Sequence, residues 1–534
     1  MTNPGNPNFK PPTLRLPKAP QPTKNDQVRA IVDITLSFMQ KHLHKNGNVY
    51  LVNTATRQVF FIDEDSVFNT IADVALHERD IVISNSAIQM AKRILKSTTS
   101  AIPGKISLRV GLGQHAYFLD FADGVNYLKY SEDGVEQVGL NLKTTTHIDV
   151  DFVRPPNISK IDTISYWLQQ EHARPPTAQD EPKSTDWLSN KSPCLNHLLS
   201  LTNIPEHCYS TVITWMVCTL FPERDQTVLE ITGEETSGKT TSAWIIKNLI
   251  DPSEKSLNEA PDSSKEIIAI SQSNHIIAID NADDLSESTQ KRIFELLTNG
   301  IQSQANHGNS VDAWTFTYRN PVIIASTSSI LSHPLLAKKT ISINLPILEK
   351  GKSFRFIKEE FLQNQPRALL ELAEIAADTL KSSRIASHEI GGDIYFDTFT
   401  STGSGVCDYF GIDVATFIET SKSLSEEVID NILDESVIAR SLISWAAENP
   451  EIKIKEPLKY WHKELIKSLP TEDHTEWPKS IRRFGAELKK IAPKLKKEGI
   501  YCKSLGKQGS NVFWEIWVTE SATAPDDMKD MKDM

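Results

Sequence analysis

Apolar positions change period several times along the chain, and each change predicts an element. Val28, Ile31, Val32, Phe38 and Met39 recur at helical spacing and predict a helix from Asn25. Residues 48–53 and 58–62 then read as a hairpin-like pair, and helical patterns return over 67–76 and 86–95. Five alternating stretches follow, at 106–110, 116–120, 125–129, 135–139 and 148–153, separated by Gly, Asp and Glu. Together they predict a compact α+β domain over 25–170.

Beyond residue 190 the pattern changes character. Helical segments at 195–199 and 210–220 lead into four short apolar runs, 227–232, 275–280, 321–327 and 340–345, which read as buried strands. Helices are predicted between them at 241–250 and 287–297, and 301–304 with 313–318 alternate like the arms of a hairpin turning through 306–309. Strands alternating with helices predict an α/β core over 191–380.

Punctuation supplies the remaining boundaries. Seven prolines and scattered lysines make 1–24 an extended basic arm, and the polar, proline-rich 171–190 reads as a linker. Gly391-Gly392 and Ser401-Thr-Gly-Ser-Gly405 give 381–430 the look of a connector with some strand character. Three helices are then predicted, at 437–447, at 457–469 and from Ser480, which is placed to cap the third. A hairpin of 500–505 and 512–518 follows, and this order predicts a winged helix over 431–520. Residues 521–534 read as a disordered tail.

A chain of 534 residues needs two to four domains. No apolar run approaches the roughly eighteen residues of a membrane span, and the N-terminus lacks a signal-peptide core, so a cytoplasmic protein is expected. The five cysteines are scattered without metal-ligand spacing, and residues 25–170 offer no carboxylate triad of the primase kind. A net charge of −12 argues against coating nucleic acid over the whole surface. Residues 478–497 depart from that balance with eight basic side chains (Lys479, Arg482, Arg483, Lys489, Lys490, Lys494, Lys496 and Lys497) against Glu487 alone. Phe484, Leu488, Ile491 and Leu495 keep an apolar stripe, so the charges take the other face. With Lys507 on the predicted wing, Lys479, Arg482, Arg483, Lys489 and Lys490 are candidate DNA contacts.

The most specific chemistry lies in Gly233-Glu234-Glu235-Thr236-Ser237-Gly238-Lys239-Thr240, which fits G-x-x-x-x-G-K-[ST] at every fixed position. A strand precedes it and a helix, opening with Thr241, follows, as the motif requires. Backbone N–H groups at such a helix N-terminus cradle phosphate, Lys239 reaches the β- and γ-phosphates, and Thr240 holds Mg²⁺. Asp280, ending the second buried strand, is the expected partner of that ion. ATP and Mg²⁺ are the cofactors these residues call for.

The order of phosphate loop, strand ending in Asp280-Asn281, helix, hairpin and polar-ended strand resembles the superfamily 3 branch of AAA+ ATPases. It looks most like the primase-helicase and replication-type ATP-binding proteins of phages and integrated mobile elements, and the resemblance is strongest over 194–380. The resemblance implies a hexameric ring that hydrolyses ATP between subunits and moves a hairpin along DNA in a central pore. In that scheme His307, beside Asn306, occupies the hairpin tip, and Ser326 or Thr327 the sensor position where many relatives carry asparagine. Asn281 stands where many ATPases have the water-polarising glutamate, leaving Asp283, Asp284 or Asn281 itself to orient the water. The trans-acting cation is left among Lys338, Lys339, Arg319 and Arg355, lysine lacking the planar fork of arginine.

The sequence thus predicts a DNA-dependent ATPase acting as a ring-forming helicase or replication initiator of a phage or mobile element. A site-specific DNA-binding protein using ATP as an assembly switch is a second expectation, and an ATPase sensor of an antiviral defence system a third.

Overall fold

The computed structural model describes residues 22–45, 47–139, 148–161, 186–282, 285–298, 301–305, 314–331, 333–348, 350–386, 397–470, 474–475, 477–492, 495–508 and 511–519. At 186, 301–305, 314–318, 334, 383–386, 426–432, 434–435, 490 and 496–497 the backbone alone is described. The basic arm, the 306–309 turn and the C-terminal tail lie outside these residues. Among the described residues the chain is mixed α/β and divides between Lys105 and Ile106 into two compact units.

In the first unit α1 (Lys24–Phe38) opens on a capping box: the Thr23 hydroxyl accepts the Asp26 N–H, and the Asp26 carboxylate accepts the Thr23 N–H. The helix stops at Phe38 because Met39, predicted as helical, instead pairs with Asn53 in a sheet. That sheet comprises β1 (Met39–Leu43), β2 (Val49–Asn53), β3 (Val59–Phe60) and β4 (Ile102–Pro103), in the order β3-β2-β1-β4. Helices α2 (Asp65–Arg79) and α3 (Asn85–Leu95) complete a core of Val28, Ile31, Leu51, Phe68, Ile71 and Leu95.

The second unit begins with β5 (Ile106–Ser107), the antiparallel meander β6 (Val110–Leu112), β7 (Tyr117–Asp120), β8 (Asn126–Ser131) and β9 (Gly134–Gly139), and β10 (Asp151–Phe152), parallel to β5. The contacts therefore divide the stretch predicted as one 25–170 domain, and its second half packs on the chain that follows. The Tyr117 hydroxyl donates to Glu223 at 2.6 Å, and that of Tyr130 to the Leu220 carbonyl.

Helix α4 (Asp186–Lys191) occupies the end of the predicted linker, followed by α5 (Pro193–Ser200) and α6 (Tyr209–Thr219). Next come β11 (Val228–Thr232), α7 (Lys239–Ile250), β12 (Asn258–Glu259), α8 (Ser264–Ser273), β13 (Ile277–Asp280), α9 (Glu287–Thr298), β14 (Ile301–Ala305), β15 (Trp314–Tyr318), β16 (Val322–Ala325), α10 (Pro334–Ala337) and β17 (Thr340–Asn344). β14 and β15 pair antiparallel from Ile301↔Tyr318 to Ala305↔Trp314. The other five strands form a parallel sheet in the order β12-β13-β16-β11-β17. Both faces are buried: Leu229, Ile231, Ala278 and Ile323 enter one apolar cluster, while Val228, Ile277, Val322 and Ile324 enter another. Burial on both sides explains why these strands read as continuous apolar runs.

Over 381–430 the structure corrects the predicted connector. Helix α11 (Phe354–Ala386) is followed by α12 (Asp397–Phe410) and α13 (Val414–Glu435). The glycines that suggested a loop are sites of close packing. A Cβ on Gly403 would meet the Phe417 ring at 2.1 Å, and one on Gly405 would come within 3.0 Å of the Thr379 backbone.

The last module has α14 (Val437–Glu448), β18 (Lys453–Pro457), α15 (Leu458–Leu465), α16 (Ile481–Ile491), β19 (Ile500–Gln508) and β20 (Asn511–Val518) around Leu442, Trp461, Phe484, Leu488, Trp514 and Ile516. β18, absent from the sequence expectation, joins the hairpin in the antiparallel order β18-β20-β19.

One buried carboxylate yields a test of this packing. Glu371 on α11 accepts N–H bonds from Leu195 at 2.9 Å and Cys194 at 3.4 Å, in the first turn of α5, and lies 3.4 Å from Arg367. Burial outweighs these contacts and pushes its carboxyl up to about 7. A raised value in the fold means that its stabilising contribution is fully present below the ordinary carboxylate range. That contribution is lost as pH rises through about 7. Glu371→Gln should flatten this leg of the stability curve, gaining up to about 3 kcal/mol over the parent above neutrality. Urea midpoints at pH 5 and pH 8 check it.

Candidate functional site

β11 ends at Thr232, and the chain then turns through a loop that only certain backbones permit. Gly233 and Gly238 have φ of 143° and 90°, and Thr236 lies at 67°. A Cβ on Gly233 would stand 2.8 Å from both the Leu345 carbonyl oxygen and Ser237 Oγ, so glycine is required there by space as well as by φ. The loop closes onto Lys239, the first residue of α7, whose Nζ donates to the Gly233 and Glu234 carbonyls at 2.7 Å each. The next residue, Thr240, brings its hydroxyl 3.2 Å from Asp280 Oδ1. Asp280 ends β13, which is separated from β11 by β16, so the parallel sheet sets this approach. Glu234, Glu235, Thr236 and Thr240 are exposed, Gly238, Lys239 and Thr241 half-buried, and Gly233 and Ser237 buried.

Asn203, between α5 and α6, was missed from sequence because it lies some thirty residues from the loop it serves. Its side-chain amide donates to the Ser237 carbonyl at 2.9 Å and to the Pro346 carbonyl beyond β17. One side chain thereby ties the loop to the last strand's exit. No local signal marks it, since asparagine before proline-containing turns is ordinary.

The sensor candidates stand at the end of β16. The Ser326 N–H donates to the Ile231 carbonyl at 3.2 Å, and the Thr327 carbonyl accepts the Gly233 N–H at 3.3 Å. The hydroxyls of Ser326 and Ser237 are buried without a hydrogen-bond partner, a cost that a ligand or water oxygen would relieve. Asn281 is exposed and held at φ 53°, while the adjacent Ala282 N–H donates to Ala325 at 3.0 Å. Asp283 and Asp284 lie outside the described residues.

The four candidate cations separate by environment. Lys339 is buried and bonded to Asp225 at 3.0 Å, at the opposite edge of the sheet, where its carbonyl accepts the Val228 N–H. Arg319 is 3.7 Å from the same carboxylate and donates to the Thr298 and Glu223 carbonyls. Both are paired within the chain. Lys338 is exposed, as is Arg355, whose side chain is 90% accessible and 3.0 Å from Glu359.

At the far end of α7 a buried ionic cluster fixes the frame. Asp251 is 2.9 Å from Lys247 and 3.3 Å from Arg109, both fully buried, and accepts the His275 and Ile276 N–H groups. These cations and N–H groups overcome burial and hold the Asp251 carboxyl well below the usual range. Arg154 grips Asp120 through two bonds of 2.7 and 2.9 Å beside it.

In the C-terminal module Ser480 caps α16 by accepting the Arg483 N–H. Lys479, Arg482, Arg483 and Lys489 are exposed while Phe484, Leu488 and Ile491 are buried, and Arg483 is 2.7 Å from Glu487. Lys507 is exposed on β19. Asn306, His307 and the Lys490 side chain lie outside the described residues. Among the described residues no three His, Cys, Asp or Glu stand together to hold a metal, and no helix is long and apolar enough to cross a membrane.

Residues 195–433, just under half of the chain, match a family described as actinomycete integrative conjugative element replication protein. No curated protein matches the chain. Among solved structures, the A form apo structure of the NrS-1 C terminal region (305–718) aligns with TM-score 0.38 and 11% identity over 92% of this chain and 99% of that one. A second structure of that region gives TM-score 0.36 and 12% identity over 91% and 99%.

The Asn203 tie generates a measurable expectation. Asn203→Ala should speed amide exchange across 233–240 by about tenfold, since each lost bond is worth roughly 1 kcal/mol. Exchange in β16 and β17 should be unchanged, as read by hydrogen–deuterium exchange with peptide resolution.

Proposed function

We propose that this chain is a replication protein of a mobile element that binds ATP in the 233–241 loop and couples it to work on DNA as a ring-forming helicase or initiator. The observation that carries the nucleotide half is the 3.2 Å approach of Thr240 to Asp280 beneath Lys239. A hydroxyl and a carboxylate at that place are the two protein ligands that Mg²⁺ would take, with phosphate and water supplying the rest. Thr240 and Asp280 would hold the ion, which would supply charge neutralisation for phosphate oxygens. The buried, unpartnered hydroxyls of Ser237 and Ser326 fit an oxygen-rich ligand. Lys239 exchanges its two carbonyl acceptors for the more strongly accepting phosphate oxygens. In this scheme Lys338 or Arg355 supplies the neighbouring subunit's cation, being exposed where Lys339 is not.

The match over 195–433 to a family of integrative conjugative element replication proteins supports the replication setting. The DNA half rests on α16 and on the tip of the β19–β20 hairpin, where Lys507 is exposed. The order helix, strand, helix, helix, two-stranded wing supports a winged helix whose third helix, α16, enters the major groove.

A second reading, ATP as an assembly switch, is favoured by one observation. Asn281 follows Asp280 with an amide that can orient a water but cannot accept its proton.

Lys239→Ala should lower ATP turnover on the order of a hundredfold or more and weaken nucleotide binding, measured by phosphate release and by titration with a fluorescent ATP analogue. Undiminished DNA-stimulated turnover in that variant would overturn the assignment. In the parent chain, tight ATP binding with turnover that DNA does not raise, and no strand separation on a forked duplex, selects the switch. Replacing both Arg482 and Arg483 by Ala should weaken duplex binding and flatten the slope of log affinity against log salt by about one to two. Fluorescence anisotropy at several salt concentrations reads both quantities.

A further inference from the structure

The sheet of the C-terminal module has two faces, and only one belongs to the apolar core. Ile454, Cys502, Trp514 and Ile516 turn inward to Trp461, Phe484 and Leu488. The cross-strand partners on the other face are Lys453, Trp517 and Tyr501 in one row, Lys455, Glu515 and Lys503 in the next, then Pro457 and Phe513. Tyr501 and Trp517 stack with centroids 5.2 Å apart and planes 9° from parallel, and Lys453 Nζ stands 5.2 Å from the centre of the Trp517 ring. All three lysines are exposed, while Tyr501, Trp517 and Phe513 are half-buried. Glu515, 3.5 Å from Lys453, is the one acid in these rows.

We propose that this outward face of β18, β20 and β19 is a binding surface for single-stranded DNA, separate from the basic side of α16. The pattern of charge and ring selects the ligand. Three lysines around one carboxylate make the face cationic within a chain of net −12, so its partner is anionic. Aromatic rings standing among those lysines offer stacking surfaces that a duplex, whose bases are already stacked on each other, does not use. Trp517 lies between Lys453 and Tyr501, so the rings placed to take bases are Tyr501, on its side away from Trp517, and Phe513, four residues and about 13 Å from Trp517 on the same strand and face. The Lys453–Trp517–Tyr501 row ends at Tyr501 on an edge strand, where a base stacks without displacing a neighbouring strand. The inference rests on the DNA half of the proposed function for its choice of nucleic acid, and not on the nucleotide half.

Anisotropy on the full chain without nucleotide tests it, using a labelled single-stranded oligothymidine of about 20 nucleotides and a labelled duplex of the same length. Joint replacement of Tyr501 and Trp517 by Ala should weaken oligothymidine binding at least about tenfold and leave duplex affinity within about twofold. The Arg482/Arg483 double-alanine variant should show the converse. Because the aromatic pair also holds the sheet, two further variants separate fold from contact. Lys453→Glu with Lys503→Glu keeps both rings and should lose oligothymidine binding, whereas Tyr501→Phe with Trp517→Phe should retain it. Near-ultraviolet circular dichroism establishes that each variant is folded. Oligothymidine affinity unchanged in the folded charge-reversal variant overturns the proposal. So does loss of oligothymidine and duplex binding together in the aromatic variant, or equal affinity of the parent face for heparin and oligothymidine, which marks a plain polyanion or acidic-protein surface. Failure of the Arg482/Arg483 variant to affect duplex binding instead removes the α16 assignment and leaves this one standing.

Discussion

A parallel sheet buried on both faces has one place where polar chemistry can gather, the edge at which its strands end. In this chain the strand order brings the exits of β11, β16 and β13 side by side, and the site forms along that edge. The loop after β11, the hydroxyl residues after β16 and the carboxylate ending β13 converge because the apolar interiors of those strands leave them no other register. Moving any strand by one residue would invert its faces and carry Asp280 or Ser326 away from Thr240. The position of the candidate site is thus a consequence of core packing, and its chemistry is what the strand ends happen to carry.

How much of this was legible depended on how local each signal is. The turn over 233–240 was readable, since its glycines, Lys239 and Thr240 lie within eight residues and their spacing encodes their geometry. Asp280 was readable because a continuous apolar run stopped at an acid. Asn203 was not, because its two bonds reach Ser237 and Pro346 through space alone. The same limit hid β18, whose Lys453-Ile-Lys-Glu-Pro457 lacks β-branched or aromatic enrichment and becomes a strand only when β20 supplies the ladder. Residues 401–405 misled in the other direction. Small residues that suggest a loop are those that let α12 approach Phe417 and Thr379 closely.

Cation environments add a distinction that composition could not. Lys338 and Lys339 are neighbours in sequence, yet one is exposed and the other is enclosed with Asp225. Lys339 is buried against a half-exposed Asp225, so its ammonium is already engaged within the chain. The same reasoning places the basic surface of the C-terminal module in two parts, one on a helix and one on a sheet, with a common apolar core behind both.

The charges around Asp251 bear on what counts as a part of this molecule. Arg109 immediately precedes the meander, while Lys247 lies in α7 and Asp251 is its C-cap. A chain cut within 162–185, where the sequence looks like a seam, would leave the first piece with Arg109 and Arg154 against Asp120. The second would keep Lys247 and His275 around Asp251. Arg109 would then lose its ion pair with Asp251 while staying in the piece that buries it. The meander therefore depends on the α/β core for the partner of one buried charge, and grafting it elsewhere would require carrying the acid along.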